Sequence, residues 1–173
     1  MKDDRDAIFQ SIEKALKTTE KRTPLPEYEE SDCVALPRLS KASNWDNFAH
    51  NFSAVSGRPL DSVASLIAFF KTEEATFGYC DPALRETLGQ TLEANGLTMA
   101  YEFDRQHIDD YHFGITRASA AIAETGTVML TDGDTSDRLA ALAPWIHIAV
   151  LESSDGLLRT VGDAIRLFGR EPN

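Results

Sequence analysis

Cysteine is scarce in this chain of 173 residues, and the two that occur, Cys33 and Cys80, lie far apart without Cys-X-X-Cys spacing. An iron–sulfur cluster normally takes four thiolates, and a structural zinc site usually takes four Cys or His ligands. Two isolated cysteines supply neither set. We therefore expect two free thiols and no cluster held by this chain alone.

Basic residues and long apolar runs are also in short supply. Lys and Arg number 17 against 28 Asp and Glu, which gives a formal net charge of −11. Nucleic acids and anionic membrane surfaces need clustered Lys and Arg, so neither is an expected partner. No apolar run approaches the roughly 20 residues of a membrane span, and the charged N-terminus lacks the apolar core of a signal peptide. The sequence predicts a cytoplasmic protein without a membrane span.

The common catalytic motifs are missing. The chain contains no Gly-X-Gly-X-X-Gly, no Walker phosphate loop, no Gly-X-Ser-X-Gly and no His-Glu-X-X-His. Its four histidines show no metal-ligand spacing, so no metal site is predicted. His147, at the start of a predicted strand, is the best functional candidate among them, although a hydrogen-bonded core histidine is the more common outcome.

The patterns that are present divide the chain into three parts. Apolar residues recur at helical spacing from Asp3 to about Lys21, which predicts an amphipathic helix arm over residues 1–22. Residues 23–42 are proline-rich and acidic, as in an extended linker. Residues 43–173 have the composition of one compact domain with a sizeable core.

Helical and strand patterns alternate within the compact part. Helices are predicted over 44–55 and 62–71, from the helix cap Asp81 to Asn95-Gly96, and from the helix cap Asp155 to Phe168. Strands are predicted over 75–80 and 97–103 and, as a buried strand, over 145–151, with one or two more between residues 113 and 130. This alternation is typical of an α/β fold, in which crossover helices connect the strands of a mostly parallel sheet.

One acidic residue lies in an otherwise small and apolar stretch, residues 113–130. Glu124 is followed directly by Thr125, Gly126 and Thr127. A buried carboxylate needs hydrogen-bond donors, which the threonine hydroxyls and the Gly126 amide could supply. Gly126 allows a positive φ or a close backbone approach. A ligand or catalytic site and a strand with a glycine bulge both fit this pattern.

The same stretch carries a family resemblance. Gly114-Ile-Thr116 followed by Ala121-Ile-Ala-Glu-Thr-Gly-Thr127 resembles the signature of the lactate-utilisation protein C family (LutC/YkgG), the LUD domain. Arg138-Leu-Ala-Ala-Leu-Ala-Pro144, with His147-Ile-Ala-Val150, resembles its second block. The resemblance implies a three-layer α/β fold of the NagB/RpiA/CoA-transferase type. It also implies oxidation of L-lactate to pyruvate together with two iron–sulfur proteins, so that clusters are expected only in partner proteins.

The resemblance also marks positions in this chain. Glu124 is the catalytic candidate, and the ligand-binding candidates are Gly114, Thr116, Thr125, Gly126, Thr127, Arg138 and His147; Pro144 is carried over with them. Family members usually continue beyond the last helix, whereas this sequence stops at Asn173. We therefore expect a LUD-type domain that lacks the usual C-terminal segment, with a sheet edge that a second copy of the chain would cover.

Three functions are compatible with the sequence. The first is a non-redox subunit that holds iron–sulfur partners in a lactate-oxidising assembly. The second is a small-molecule enzyme related by fold to CoA transferases, with Glu124 as nucleophile or base. The third is a non-catalytic module that binds a small anion through Arg138. For Glu124 the structural alternative is an acid that fixes a strand–loop junction, and for Arg138 it is a local pair with Asp134 or Asp137.

Overall fold

The computed structural model describes residues 4–17, 27, 39–131, 138–152 and 156–169. The chain separates into two compact units, residues 1–33 and 34–173. The first unit contains helix α1 (Asp4–Lys17), which lies within the predicted amphipathic arm and keeps its apolar side chains exposed. Most of the predicted linker lies outside the described residues. None of the helices in the described part is long and apolar enough to cross a membrane.

The second unit is built on two sheets. The larger, sheet A, has four parallel strands in the order β2-β1-β3-β6: β1 (Phe77–Cys80), β2 (Thr98–Ala100), β3 (Phe113–Arg117) and β6 (Ile146–Val150). The smaller, sheet B, has three strands in the order β5-β4-β7: β4 (Ala120–Ile122), β5 (Thr127–Met129) and β7 (Leu157–Leu158). Strand β4 is antiparallel to β5 and parallel to β7.

The described part of this unit contains five α-helices: α2 (Asn44–Ala54), α3 (Val63–Thr72), α4 (Gln90–Ala94), α5 (Leu139–Leu142) and α6 (Val161–Phe168). A 3-10 turn at Pro82–Leu84 and a π-helical turn at Arg85–Gly89 precede α4, so the chain is helical from residue 82 to 94. A second 3-10 segment spans Arg105–Asp110. The predicted α/β architecture with a parallel sheet and crossover helices is confirmed.

Alternation along β3 separates the two faces of sheet A, because successive side chains of a strand point in opposite directions. Phe113 and Ile115 are fully buried in the main core, together with Leu66 and Phe70 of α3 and with leucines of the 82–94 segment. Helix α5 covers the opposite face, where its buried Ala140 packs in one cluster with aromatic residues of the sheet and of the loop after β2. Helices on both faces give the predicted three layers.

A glycine in β3 allows α5 to lie this close to the sheet. A Cβ atom at Gly114 would overlap the carbonyl group of Ala140 and would also approach the ring of Pro144. Gly114 and Pro144, both carried over from the family signature, therefore have a packing role at this helix–sheet contact.

Two sequence expectations were wrong in detail. The last helix was expected to begin at Asp155, but α6 begins at Val161, because Thr160 and Asp163 form a capping box there and Leu157–Leu158 pair with β4. The strand starting at Trp145 was expected to be buried. Instead β6 lies at the edge of sheet A, and Trp145 just before it is 98% exposed.

We predict that Gly114→Ala destabilises the protein by about 1–3 kcal/mol, because the added methyl group separates α5 from β3. Urea unfolding monitored by circular dichroism measures the change. Gly162→Ala is the matched control, since a Cβ there meets nothing closer than 3.6 Å. A Gly114→Ala variant as stable as the control would contradict this packing role.

Candidate functional site

The β4–β5 turn contains the central residues of the family signature. Residues 123–126 close the hairpin, and the Gly126 N–H donates to the Ile122 carbonyl at 2.9 Å. Gly126 has a φ of +67°, and a Cβ there would overlap the backbone of Asn51 and Phe52 in α2. The sequence predicted that Gly126 allows a positive φ or a close backbone approach, and the structure has both at this position.

Glu124 is buried in this turn and connects it to α6. Its Oε2 accepts a hydrogen bond from the Val161 N–H at 3.1 Å, and its own N–H donates to the Arg159 carbonyl at 3.0 Å. A carboxylate next to the first N–H of a helix also interacts favourably with the helix dipole. These contacts are the ones expected if Glu124 fixes a strand–loop junction, which was the structural alternative for this residue. A catalytic role of Glu124 stays a prediction.

The donors to Glu124 differ from those expected. The hydroxyl groups of Thr125 and Thr127 lie 2.8 Å apart and bond to each other at the surface of the turn. The Gly126 amide bonds within the hairpin, as described above. The α2 side chain that holds the turn was missed from sequence: the buried Asn51 amide donates to the carbonyls of Ala123, at 2.8 Å, and Glu124, at 3.2 Å.

Three other candidates lie on the α5 side of sheet A. Gly114 of β3 pairs in register with His147 of β6. The Thr116 hydroxyl lies 2.8 Å from His147 Nε2, a nucleophile–base distance, but Thr116 is fully buried and cannot be reached by a substrate. His147 keeps an exposed side, while desolvation of its packed side lowers the pKa of the imidazole below its ordinary value.

Arg138, the predicted anion-binding residue, is exposed immediately before α5, and its carbonyl accepts from the Ala141 N–H at 3.1 Å. Asp134 and Asp137, its predicted local partners, lie outside the described residues. The contacts above place Glu124, Thr125, Gly126 and Thr127 at a turn between α2 and α6, and they place Gly114, Thr116 and His147 on the α5 face of sheet A.

A charged pair at the carboxyl ends of β1 and β3 was not identified from sequence. Asp81 had been interpreted only as a helix cap, and its Oδ1 does accept from the Ala83 N–H at 2.9 Å. Its Oδ2 also lies 3.4 Å from Nε of Arg117, the last residue of β3. The signal was available in part: an acid directly follows one predicted strand, a base lies in the stretch 113–130 where one or two more strands are predicted, and parallel strands end at the same edge of a sheet.

Cys80, next to Asp81, is a free and fully buried thiol. Burial, followed by the nearby carboxylates of Asp81 and Glu93, raises the pKa of Cys80 to about 12. The thiol is therefore protonated and unreactive at neutral pH. Cys33 lies outside the described residues. Within the described ranges no group of three or more His, Cys, Asp or Glu side chains is arranged to hold a metal ion.

Comparison with known proteins identifies the family of this chain. A family model described as the LUD domain matches residues 64–170, a range that includes sheet A, the β4–β5 turn and both groups of candidate residues. The chain belongs to the LUD-domain family. No curated protein matches it. A crystal structure of a DUF162 family protein from Deinococcus radiodurans is similar at 22% identity over 64% of this chain and 82% of that one, with a TM-score of 0.38.

The family match confirms the LUD resemblance inferred from Gly114–Thr116 and Ala121–Thr127. For this LUD-domain protein the match extends through α6, because the matched residues end at 170. The roles of the individual signature residues stay predictions, and the contacts described above identify which variants can test them.

We predict that Glu124→Ala destabilises the LUD domain by about 1–3 kcal/mol, because it removes the acceptor of the Val161 N–H in a buried setting. Glu124→Gln keeps a side-chain oxygen acceptor and should cost less. Urea unfolding measures both, with Glu102→Ala at an exposed position as control. Equal stability of the Ala variant and the control would show that this bond is not needed.

We predict that His147 makes stability depend on pH. Its folded-state pKa is below the unfolded value, so the unfolded chain takes up the proton first as pH falls. The contribution of His147 is complete above the ordinary histidine pKa and decreases as pH falls toward the folded-state pKa. His147→Gln should flatten the part of the stability curve that lies below the ordinary histidine pKa. An NMR titration of the His147 ring giving a pKa at or above the ordinary value would contradict the prediction.

Proposed function

We propose that this LUD-domain protein is a non-redox subunit of an L-lactate utilisation system of the LutC type. In this role it acts with iron–sulfur partner proteins that carry electrons from lactate as it is oxidised to pyruvate. The observation that carries the proposal is the LUD match over residues 64–170, together with the LutC-like signature at Gly114–Thr116 and Ala121–Thr127.

The small number of cysteine ligands in this chain supports a non-redox role beside iron–sulfur partners. Oxidation of lactate to pyruvate releases two electrons and two protons, and an electron carrier has to accept the electrons. The whole sequence has two cysteines, fewer than the four that a cluster normally takes, and one of them is the buried, protonated Cys80. In this assembly the clusters belong to the partner proteins.

The first compact unit supports a docking role. Helix α1 exposes four large apolar side chains, Ile8, Phe9, Ile12 and Leu16, which recur on one side at helical spacing. Amphipathic helices of this kind commonly bind in an apolar groove of another protein. We assign α1 as the segment that contacts an iron–sulfur partner.

The test is purification of the tagged full-length protein from its native cells, grown on L-lactate and broken under anaerobic conditions. We predict recovery of two cysteine-rich iron–sulfur proteins, bound iron, and lactate-dependent reduction of a dye by the recovered complex. Recovery of the protein alone and free of iron from lactate-grown cells would contradict the proposal.

Two α1 variants sharpen the experiment. Ile8→Ser combined with Ile12→Ser removes apolar surface and should release the partners, whereas Gln10→Ser combined with Glu13→Ser changes the polar side and should retain them. If both variants retain the partners equally, the complex still forms and α1 is not the segment that contacts the partners.

A further inference from the structure

The chain connections of sheet A reverse direction between β1 and β3. From β1 the chain passes through the 82–94 helical segment to β2, on one side of β1. From β3 it passes through sheet B and α5 to β6, on the other side. The two connections leave in opposite directions, and their helical parts, residues 82–94 and α5, pack on opposite faces of the sheet. In open parallel sheets, ligands bind outside the carboxyl ends of the strands at this reversal point.

The Asp81–Arg117 pair lies at this reversal point. The side chain of Asp81 is 1% exposed, whereas that of Arg117 is 30% exposed. The pair therefore consists of a buried acid and a base whose side chain is partly exposed to solvent. The contact joins Oδ2 to Nε alone at 3.4 Å, longer than the about 2.7–2.9 Å of a strong charge-assisted bond. Asp81 therefore orients the guanidinium from its Nε edge without closing a bidentate pair at that contact.

Backbone hydrogen bonds hold both residues in place. The Asp81 N–H donates to the Ile115 carbonyl of β3 at 2.9 Å, which extends the β1–β3 ladder beyond the end of β1. The Ala118 N–H donates to the Val150 carbonyl of β6 at 2.8 Å, directly after Arg117. The main chain that carries Asp81 and Arg117 is therefore fixed, and less conformational freedom remains to be lost when a ligand binds there.

We propose that the carboxyl edge of sheet A between β1 and β3 binds a small monocarboxylate, with Arg117 contacting the carboxylate and Asp81 acting as the positioning residue. A planar guanidinium matches a carboxylate in shape and hydrogen bonding. A dianion such as phosphate is disfavoured, because the carboxylate of Asp81 beside Arg117 repels a dianion more strongly than a monoanion. The site rests on this geometry; the choice of L-lactate as first probe rests on the proposed function.

The decisive experiment is an NMR titration of the isolated, isotope-labelled full chain with L-lactate, and in parallel with lactamide, its neutral analogue. The expected result is saturable shifts of the Asp81, Arg117 and Ala118 amides with lactate and none with lactamide. Pyruvate, acetate and inorganic phosphate complete the series. Because no partner protein is present, failure to find iron–sulfur partners in cells does not affect this outcome.

Substitutions test whether Arg117 is the cation that contacts the carboxylate of the ligand. Arg117→Gln should bind lactate about ten- to hundredfold more weakly, and Arg117→Lys should fall between it and the wild type. Arg58→Gln is the matched control, since Arg58 is an ion-paired arginine at an exposed position, and its affinity should be unchanged. If the buried Asp81 prevents Arg117→Gln from folding, the double variant Asp81→Asn/Arg117→Gln removes both charges and should show the same loss.

Several results would overturn the site. One is that the NMR shifts are confined to Thr116 and His147 or to residues 124–127. Others are that lactamide binds as tightly as lactate, or that phosphate binds more tightly than any monocarboxylate. A further one is that Arg138→Gln loses affinity for lactate while Arg117→Gln keeps it. Binding of none of the monocarboxylates would overturn it as well. Binding of acetate or pyruvate at Arg117 without lactate would support the site and count against the lactate role.

Discussion

Parallel pairing of β3 with β1 on one side and β6 on the other is the constraint on which the rest of this protein depends. The ladder fixes the direction of each successive β3 side chain. Gly114 admits α5, Ile115 fills the main core, Thr116 bonds His147, and Arg117 meets Asp81. A shift of one residue in register would reverse all four. The packing at Gly114 and Ile115, the Thr116–His147 bond and the Arg117–Asp81 contact therefore all depend on the same backbone hydrogen bonds.

The fold class could be predicted from sequence because its signals are local. Helix caps and hydrophobic periodicity are read within a few residues, as at Asp81-Pro82 and at Asn95-Gly96. Boundaries failed where two local signals competed, and the acidic residues near 155 concealed the capping box at Thr160. The exposure of Trp145 was missed because an apolar residue at a strand start suggests burial, whereas position in the sheet decides it.

The candidate site was harder to predict because its contacts are distant in sequence. Glu124 was correctly expected to need donors, but neighbouring residues were considered for a bond that comes from Val161, 37 positions away. Asp81 and Arg117, 36 positions apart, become neighbours only once β1 is known to lie beside β3. A family signature marks positions without giving their partners. It therefore pointed to Gly114 and Gly126, whose close helix contacts explain them, and not to this charged pair.

The outermost position of β6 gives the protein its own optical reporter. Trp145 is one of two tryptophans, is 98% exposed and directly precedes β6, whose outer edge pairs with no other strand among the described residues. We therefore expect the indole of Trp145 to fluoresce as a hydrated side chain. A strand or protein surface that covers the start of β6 together with the ring removes the indole from water and moves its emission to shorter wavelength, so assembly there can be followed without a label.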